Sequence, residues 1–198
     1  MQFQEVVRRR RMIRNYEDRP VSEEARERIL ANALRAPSAG FSQGWAFLVL
    51  EAPTVRGRFW AAVSGPEEDD SMWAAGLRRA PLIIVALSHK EAYLDRYAEP
   101  DKGWEDRDEG RWPVPYWDID TGFASLLMLL TAVDEQLGAC FIGIQPERIH
   151  PFRATFGVPE PYAPIGFVTV GHPAPDVRSP SLRRGRRPWE EVVHRGRW

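Results

Sequence analysis

The stretch Pro37-Ser38-Ala39-Gly40-Phe41-Ser42-Gln43-Gly44-Trp45-Ala46-Phe47 separates two unlike local patterns, and the change across it sets the fold class. Before it, Ser22 is a good N-cap, Glu23 and Glu24 fill the first turn, and Ile29, Leu30, Ala33 and Leu34 repeat at helical spacing. The spacing predicts an amphipathic helix over 22–36, stopped by Pro37. After it, Ala46-Phe-Leu-Val-Leu50 is short, apolar and preceded by turn residues, as a buried strand is.

The same alternation continues outward. Pro81-Leu-Ile-Ile-Val-Ala-Leu87 reads as a second buried strand, and Val55, Phe59 and Val63 suit a helix from about Thr54. From Asp118 to Leu137 small and apolar residues dominate, with Asp118 and Asp120 near the start and Gly138 placed as a C-terminal stop. This is the central helix. Ala139–Ile144 and Ile165–Val170 read as two further strands, separated by a helical segment that Pro146 starts and Pro151 limits or bends. The segment 89–117 is different: Tyr93, Tyr97, Trp104, Trp112, Tyr116 and Trp117 sit among many charges without a clean period. A long aromatic insertion of this kind is either a lid or binding loop, or a surface excursion packed on its own tryptophans.

Composition narrows the class. A chain of 198 residues fits one domain over 1–198 and buries roughly 70% of the surface that its unfolded form exposes. With 43% hydrophobic and 28% charged residues it lies in the globular range. The single cysteine, Cys140, rules out an internal disulfide and fits a reducing cytoplasm. MQFQEVVRRRR has no apolar run behind its basic residues, so no secretory signal is expected. Thr121–Val133 is too short for the ~20 apolar residues of a membrane span. The net charge of −1 disfavours a nucleic-acid partner, although Arg8, Arg9, Arg10, Arg11 and Arg14 crowd one end and Arg183, Arg184, Arg186, Arg187, Arg195 and Arg197 the other. Such blocks are either solvated tails or contacts to a polyanion.

Several chemistries lack their residues. Neither the dinucleotide glycine pattern nor the P-loop occurs, and there is no Gly-x-Ser-x-Gly elbow. His89, His150, His172 and His194 stand far apart, so no metal site is expected. Cys140 lies in an apolar, strand-like stretch that suits an inert thiol. What remains is a bound organic cofactor that carries the chemistry, for which the protein supplies anion binding and an apolar slot. Arg10, Arg11 and Arg14 suit a phosphate, as do Arg184 and Arg186, because guanidinium forks match its oxygens. Closure of both chain ends on one phosphate would explain both clusters.

On these residues the chain resembles the FMN-dependent nitroreductases. Arg10-Arg-Met-Ile-Arg-Asn-Tyr16 is similar to their Arg-Arg-Ser-x-Arg-x-Phe opening, and Pro37 to Phe47 to their Pro-Ser-x-x-Asn-x-Gln-Pro-Trp-x-Phe turn. Leu137-Gly-Ala-Cys-Phe-Ile-Gly143 resembles the strand after their central helix. Pro164–Pro173 resembles their last core strand, and Arg183–Val193 their closing Arg/Lys-x-Arg-x-Pro element. The resemblance implies an α+β fold with a mixed, mostly antiparallel sheet flanked by helices. It also implies an interlocked homodimer in which a C-terminal arm, 174–198, wraps the partner and FMN lies at the interface.

Carried over by position, it implies that Arg10, Arg11, Arg184 and Arg186 contact the FMN phosphate, and that Arg14 sits beside the pyrimidine edge of the ring. Pro37, Ser38 and Ala39, with Phe41 and Gln43, come from the other subunit, and the backbone at Ile142 and Gly143 faces the reactive nitrogen. Met12 replaces a serine, which leaves more of the phosphate to arginines; Phe41 replaces an asparagine and Gly44 a proline. The implied activity is ping-pong electron transfer from NAD(P)H through FMN to an electron-poor small molecule of nitroaromatic or quinone type. No side-chain acid or base is needed, and Tyr93, Trp104, Trp112 and Tyr116 form a lid that sets acceptor choice. The same scaffold also suits a narrower flavin chemistry, such as reductive dehalogenation, flavin cleavage or a deazaflavin-linked reduction, or FMN sequestration without catalysis.

Overall fold

The computed structural model describes residues 1–64, 72–175, 177 and 179–198. In chain order these form α1 (Phe3–Arg9), α2 (Glu23–Ala33), β1 (Trp45–Leu50), α3 (Pro53–Val63), α4 (Met72–Arg78), β2 (Leu82–His89), α5 (Lys90–Ala98), α6 (Tyr116–Asp134), β3 (Gly138–Ile142), α7 (Pro146–Phe156) and β4 (Tyr162–Gly171). The four strands make one sheet of order β1-β2-β4-β3, and each neighbouring pair is antiparallel.

The unbroken apolar run of β2 follows from its place in the middle of the sheet with helices on both faces. Leu82 and Ile84 join Ile29, Ala33, Met128, Leu129, Val168 and Val170 in one apolar cluster, built with α2 and α6. Ile83, Val85 and Leu87 join Phe59, Phe152 and Phe167 in another, built with α3 and α7. The alternation of neighbouring residues between clusters is the period-2 geometry of a strand. The architecture is thus α+β, helix on sheet on helix.

The N-terminal segment enters the sheet at its β3 edge. Met12 bridges Ala139 in parallel sense, and the Ile13 N–H donates to the Ala139 carbonyl at 3.0 Å. Tyr16 is fully buried there; its hydroxyl donates to the Ile13 carbonyl at 2.6 Å and meets Thr169 Oγ1 at 2.8 Å. Arg10–Arg14 is therefore held along one edge of the sheet.

Several boundaries differ from the sequence reading. The helix expected over 22–36 ends at Ala33, because the residues before Pro37 are biased away from helix and 34–36 close as a tighter turn. Ser22 caps it as expected, accepting the Ala25 N–H. The stop of α6 is Gln136, which takes the left-handed conformation at φ 59°, with the Leu137 N–H reaching back to the Ala132 carbonyl at 2.7 Å. Gly138 instead opens β3. Pro151 does not end α7: only one N–H is lost, and the helix runs on to Phe156 until Gly157 caps it at φ 63°.

Candidate functional site

At the β3 edge the elements leave a cleft of about 430 Å³, within the usual size of a cofactor pocket. Arg14 lines it from the bridged N-terminal segment, Ile142 and Gly143 from the end of β3, Gln145 from the approach to α7, and Leu77 and Arg78 from α4. Trp60, Val63, Phe141 and Phe167 supply apolar wall, and Ser64 a hydroxyl. Arg14 and Arg78 bring two guanidinium groups to this space, and no carboxylate is among its described lining residues. The structure thus brings Arg14, Ile142 and Gly143 together in one cleft.

The other expected phosphate ligands lie outside that lining. Arg10 ends α1, Arg11 is exposed and Met12 bridges β3. Arg184 closes a short turn, Pro180–Arg184, and with Arg186 belongs to an arm whose described residues are almost entirely exposed. Arg9 and Arg187 pair with Glu5 and Glu191, whereas Arg10, Arg11, Arg184 and Arg186 make no ion pair among the described residues.

The turn before β1 is held from several sides. Ser38 Oγ accepts the Gln43 N–H at 3.0 Å, and Ser42 Oγ donates to the Ala39 carbonyl at 2.6 Å. Asp120 Oδ2 accepts the Ala39 N–H at 2.9 Å, and Arg96 Nε donates to the Gly40 carbonyl at 3.0 Å. Gly40, Phe41 and Gln43 all have positive φ, at 60°, 56° and 50°; for phenylalanine and glutamine that conformation carries strain. Gly44 stands where the resembled motif has proline because the Tyr93 ring lies against it, 2.4 Å from where a Cβ would be. Pro37 and Ala39 thus lie on a braced loop, and Phe41 projects from it 74% exposed. No residue of 37–43 lines the Arg14 cleft.

The segment 89–117 is not an open lid over its own chain's cleft, and none of its residues lines that cleft. It begins as α5 and continues in turns folded around Trp112, whose ring lies 4.5 Å from Tyr97, 5.4 Å from Trp104, 5.8 Å from Tyr116 and 5.9 Å from Tyr93, centre to centre. Edge-to-face contacts of this kind are favoured by ring quadrupoles. Tyr93, expected on a substrate-facing surface, is fully buried, and its hydroxyl donates to Asp120 Oδ2 at 2.9 Å. Burial and the hydrogen bond to Asp120 push its phenol far above its ordinary range.

Sequence reading missed Trp60, Ser64, Arg78 and Gln145, which reach the cleft only by tertiary convergence. It also took Asp120 as a helix-dipole partner, whereas Asp120 is 3% exposed and bonded to Ala39 and Tyr93. A carboxyl group inside an apolar helix was the available signal. Among the described residues no group of His, Cys, Asp and Glu is arranged to hold a metal, and no helix is long and apolar enough to cross a membrane.

Comparison with known proteins places these features among relatives. Residues 7–172 match the model of the Nitroreductase family. A provisionally named NADH dehydrogenase/NAD(P)H nitroreductase of Methanothermobacter thermautotrophicus is 29% identical over 88% of this chain and 78% of its own length. Iodotyrosine deiodinase 1 of Pongo abelii is 21% identical over 97% of this chain and 68% of its own. A provisionally named nitroreductase from Desulfovibrio desulfuricans, solved in complex with FMN, superposes with a TM-score of 0.72 at 26% identity, covering 100% of this chain and 98% of its own.

Proposed function

The chain belongs to the nitroreductase family of oxidoreductases, and on that premise we propose that it binds FMN, takes electrons from NAD(P)H and passes them to an electron-poor small molecule. The observation that carries this reading is the meeting of Arg14 with Ile142 and Gly143 in one cleft that also has an apolar wall.

The residues fit FMN. Arg10, Arg11, Arg184 and Arg186 are guanidinium groups without carboxylate partners among the described residues, suited to a phosphate. Nothing lies within 4 Å of where a Cβ would stand on Gly143, which leaves its backbone open to a flat ring. FMN bound here supplies the hydride and electron chemistry that no side chain of the cleft possesses. Arg14 holds a fixed positive charge where a reduced ring would be negative, and so favours the reduced state. Trp60, Val63, Phe141 and Phe167 give a flat ring apolar surface to pack against. With no side-chain acid or base among these walls, protons come from solvent, and donor and acceptor use the same space in turn.

The working unit is a homodimer. The 37–43 turn leads into β1 and the Arg14 cleft adjoins β3, at opposite edges of the sheet, three inter-strand spacings or about 14 Å apart. One chain does not bring both to one ring; a second copy does. Two surfaces await that copy: the apolar stripe Ile119, Phe123 and Leu126 on α6, and the arm with Leu182, Trp189 and Trp198 exposed. In the dimer Trp104, Trp112 and Tyr116 of one chain border the partner's cleft and bear on acceptor choice.

A second reading, reductive dehalogenation on the same scaffold, is favoured by the similarity to a deiodinase. Anaerobic titration of the purified protein tests both. A flavin spectrum that bleaches with NADH or NADPH and returns with a nitroaromatic or quinone supports the main reading; return only with a halogenated phenol supports the second. Absence of flavin overturns both.

A further inference from the structure

Resting on that reading, we propose that Asp120 is a positioning residue acting across the dimer interface: from the core of one protomer it sets the Pro37–Gln43 turn against the flavin held by Arg14 of the other.

Asp120 is 3% exposed and is the one charged side chain among the buried residues of α6; the buried polar ones beside it, Thr121, Ser125 and Thr131, are neutral hydroxyls. A buried carboxyl group is costly and is retained at such a place only with its bonds satisfied. Its partners are the Ala39 N–H in the turn and the Tyr93 hydroxyl from α5, both on Oδ2 at 2.9 Å. Tyr93 in turn packs its ring against Gly44, at the other end of the turn. Asp120 and Tyr93 therefore hold the turn at both ends.

The turn needs that hold. Phe41 and Gln43 take left-handed conformations that side chains disfavour, and such backbone persists only where its surroundings over-determine it. The bracing does not serve burial, because the turn presents Phe41 to the outside instead of packing it. Nor does it line the Arg14 cleft of its own chain, which lies beyond β2 and β4. A rigid, strained, outward-facing loop fixed by a core carboxylate is built to meet another molecule, and the Arg14 cleft of the second copy is the surface that lacks such a wall.

A mixed dimer provides the test. One chain carries Arg14→Ala and the other Asp120→Ala, each with its own affinity tag, so that only the heterodimer is isolated. Action across the interface puts both lesions in one site and none in the other. Half of the FMN then retains the wild-type dissociation constant and reduction potential, while the rest binds about ten- to a hundredfold more weakly or is lost. Action within one chain gives two damaged sites and no wild-type fraction, which overturns the proposal. Asp120→Asn can place its amide oxygen where Oδ2 stands and accept from both Ala39 and Tyr93, so it restores the binding that Asp120→Ala loses. Should Asp120→Ala not fold, Ala39→Pro takes its place: it removes only the N–H that Asp120 accepts, and Ser38 already has the extended conformation that proline requires before it. Wild-type FMN affinity in homodimers of both Asp120→Ala and Ala39→Pro also overturns the proposal, whereas a wild-type protein without flavin overturns the functional reading beneath it.

Discussion

Arg10, Arg184 and Arg186 each present a guanidinium that no carboxylate of the described residues neutralises, while their neighbours Arg9 and Arg187 are paired. If the three clamp one phosphate, replacing any of them with Ala weakens FMN binding by about ten- to a hundredfold, since each removes a charge-assisted bond. Arg195→Ala and Arg197→Ala are then much milder, and equilibrium FMN titration of the five variants checks the ranking. Arg14→Ala behaves differently, lowering the flavin reduction potential. Tyr93 gives a pH signature. Its phenol is raised in the folded chain above the unfolded value near 10, so folding is fully supported by it below about pH 10. Above that pH the unfolded tyrosine loses its proton while the folded one keeps it, and stability falls. Tyr93→Phe is the less stable protein at neutral pH but loses less between about pH 10 and 11, which denaturant melts at each pH would show. Arg14, Ile142 and Gly143 were legible in the sequence because each belongs to a local motif. Trp60, Ser64, Arg78 and Gln145 were not, because only packing unites α3, α4 and the β3–α7 connection.

Among the elements, α6 joins the core to the proposed dimer contact. Its buried face carries Ala124, Met128 and Ala132, yet Ile119, Phe123 and Leu126 lie exposed on the other side. A helix apolar all round is one that is meant to be covered all round. Phe123→Asp or Leu126→Asp places a charge in the proposed contact and shifts the protein toward monomer with loss of FMN, as sedimentation with flavin absorbance would show. Legibility differed sharply between elements. The strands and the central helix were readable because long apolar runs leave little choice. α1 and α4 escaped notice, being only seven residues each and without a sustained period. α5 was hidden among the charges and aromatics of 89–117. That segment packs around Trp112 through contacts that no local period shows.

At the scale of the whole molecule, the proposed two-chain site follows from the sheet order. The antiparallel order β1-β2-β4-β3 puts the braced turn and the arginine cleft on opposite edges, and the arm leaves the body with its apolar side chains uncovered. Local sequence patterns showed both motifs but not their separation, which depends on strand order and therefore on long-range pairing. The two-copy site is also where the turn, the cleft and the arm meet in the proposed dimer. Its most direct test is light scattering coupled to flavin absorbance on the purified protein. A homodimer with two such sites is a particle of about twice 22.7 kDa carrying one FMN per chain, and that is the expected result. A monomer of 22.7 kDa that still holds FMN tightly would contradict it.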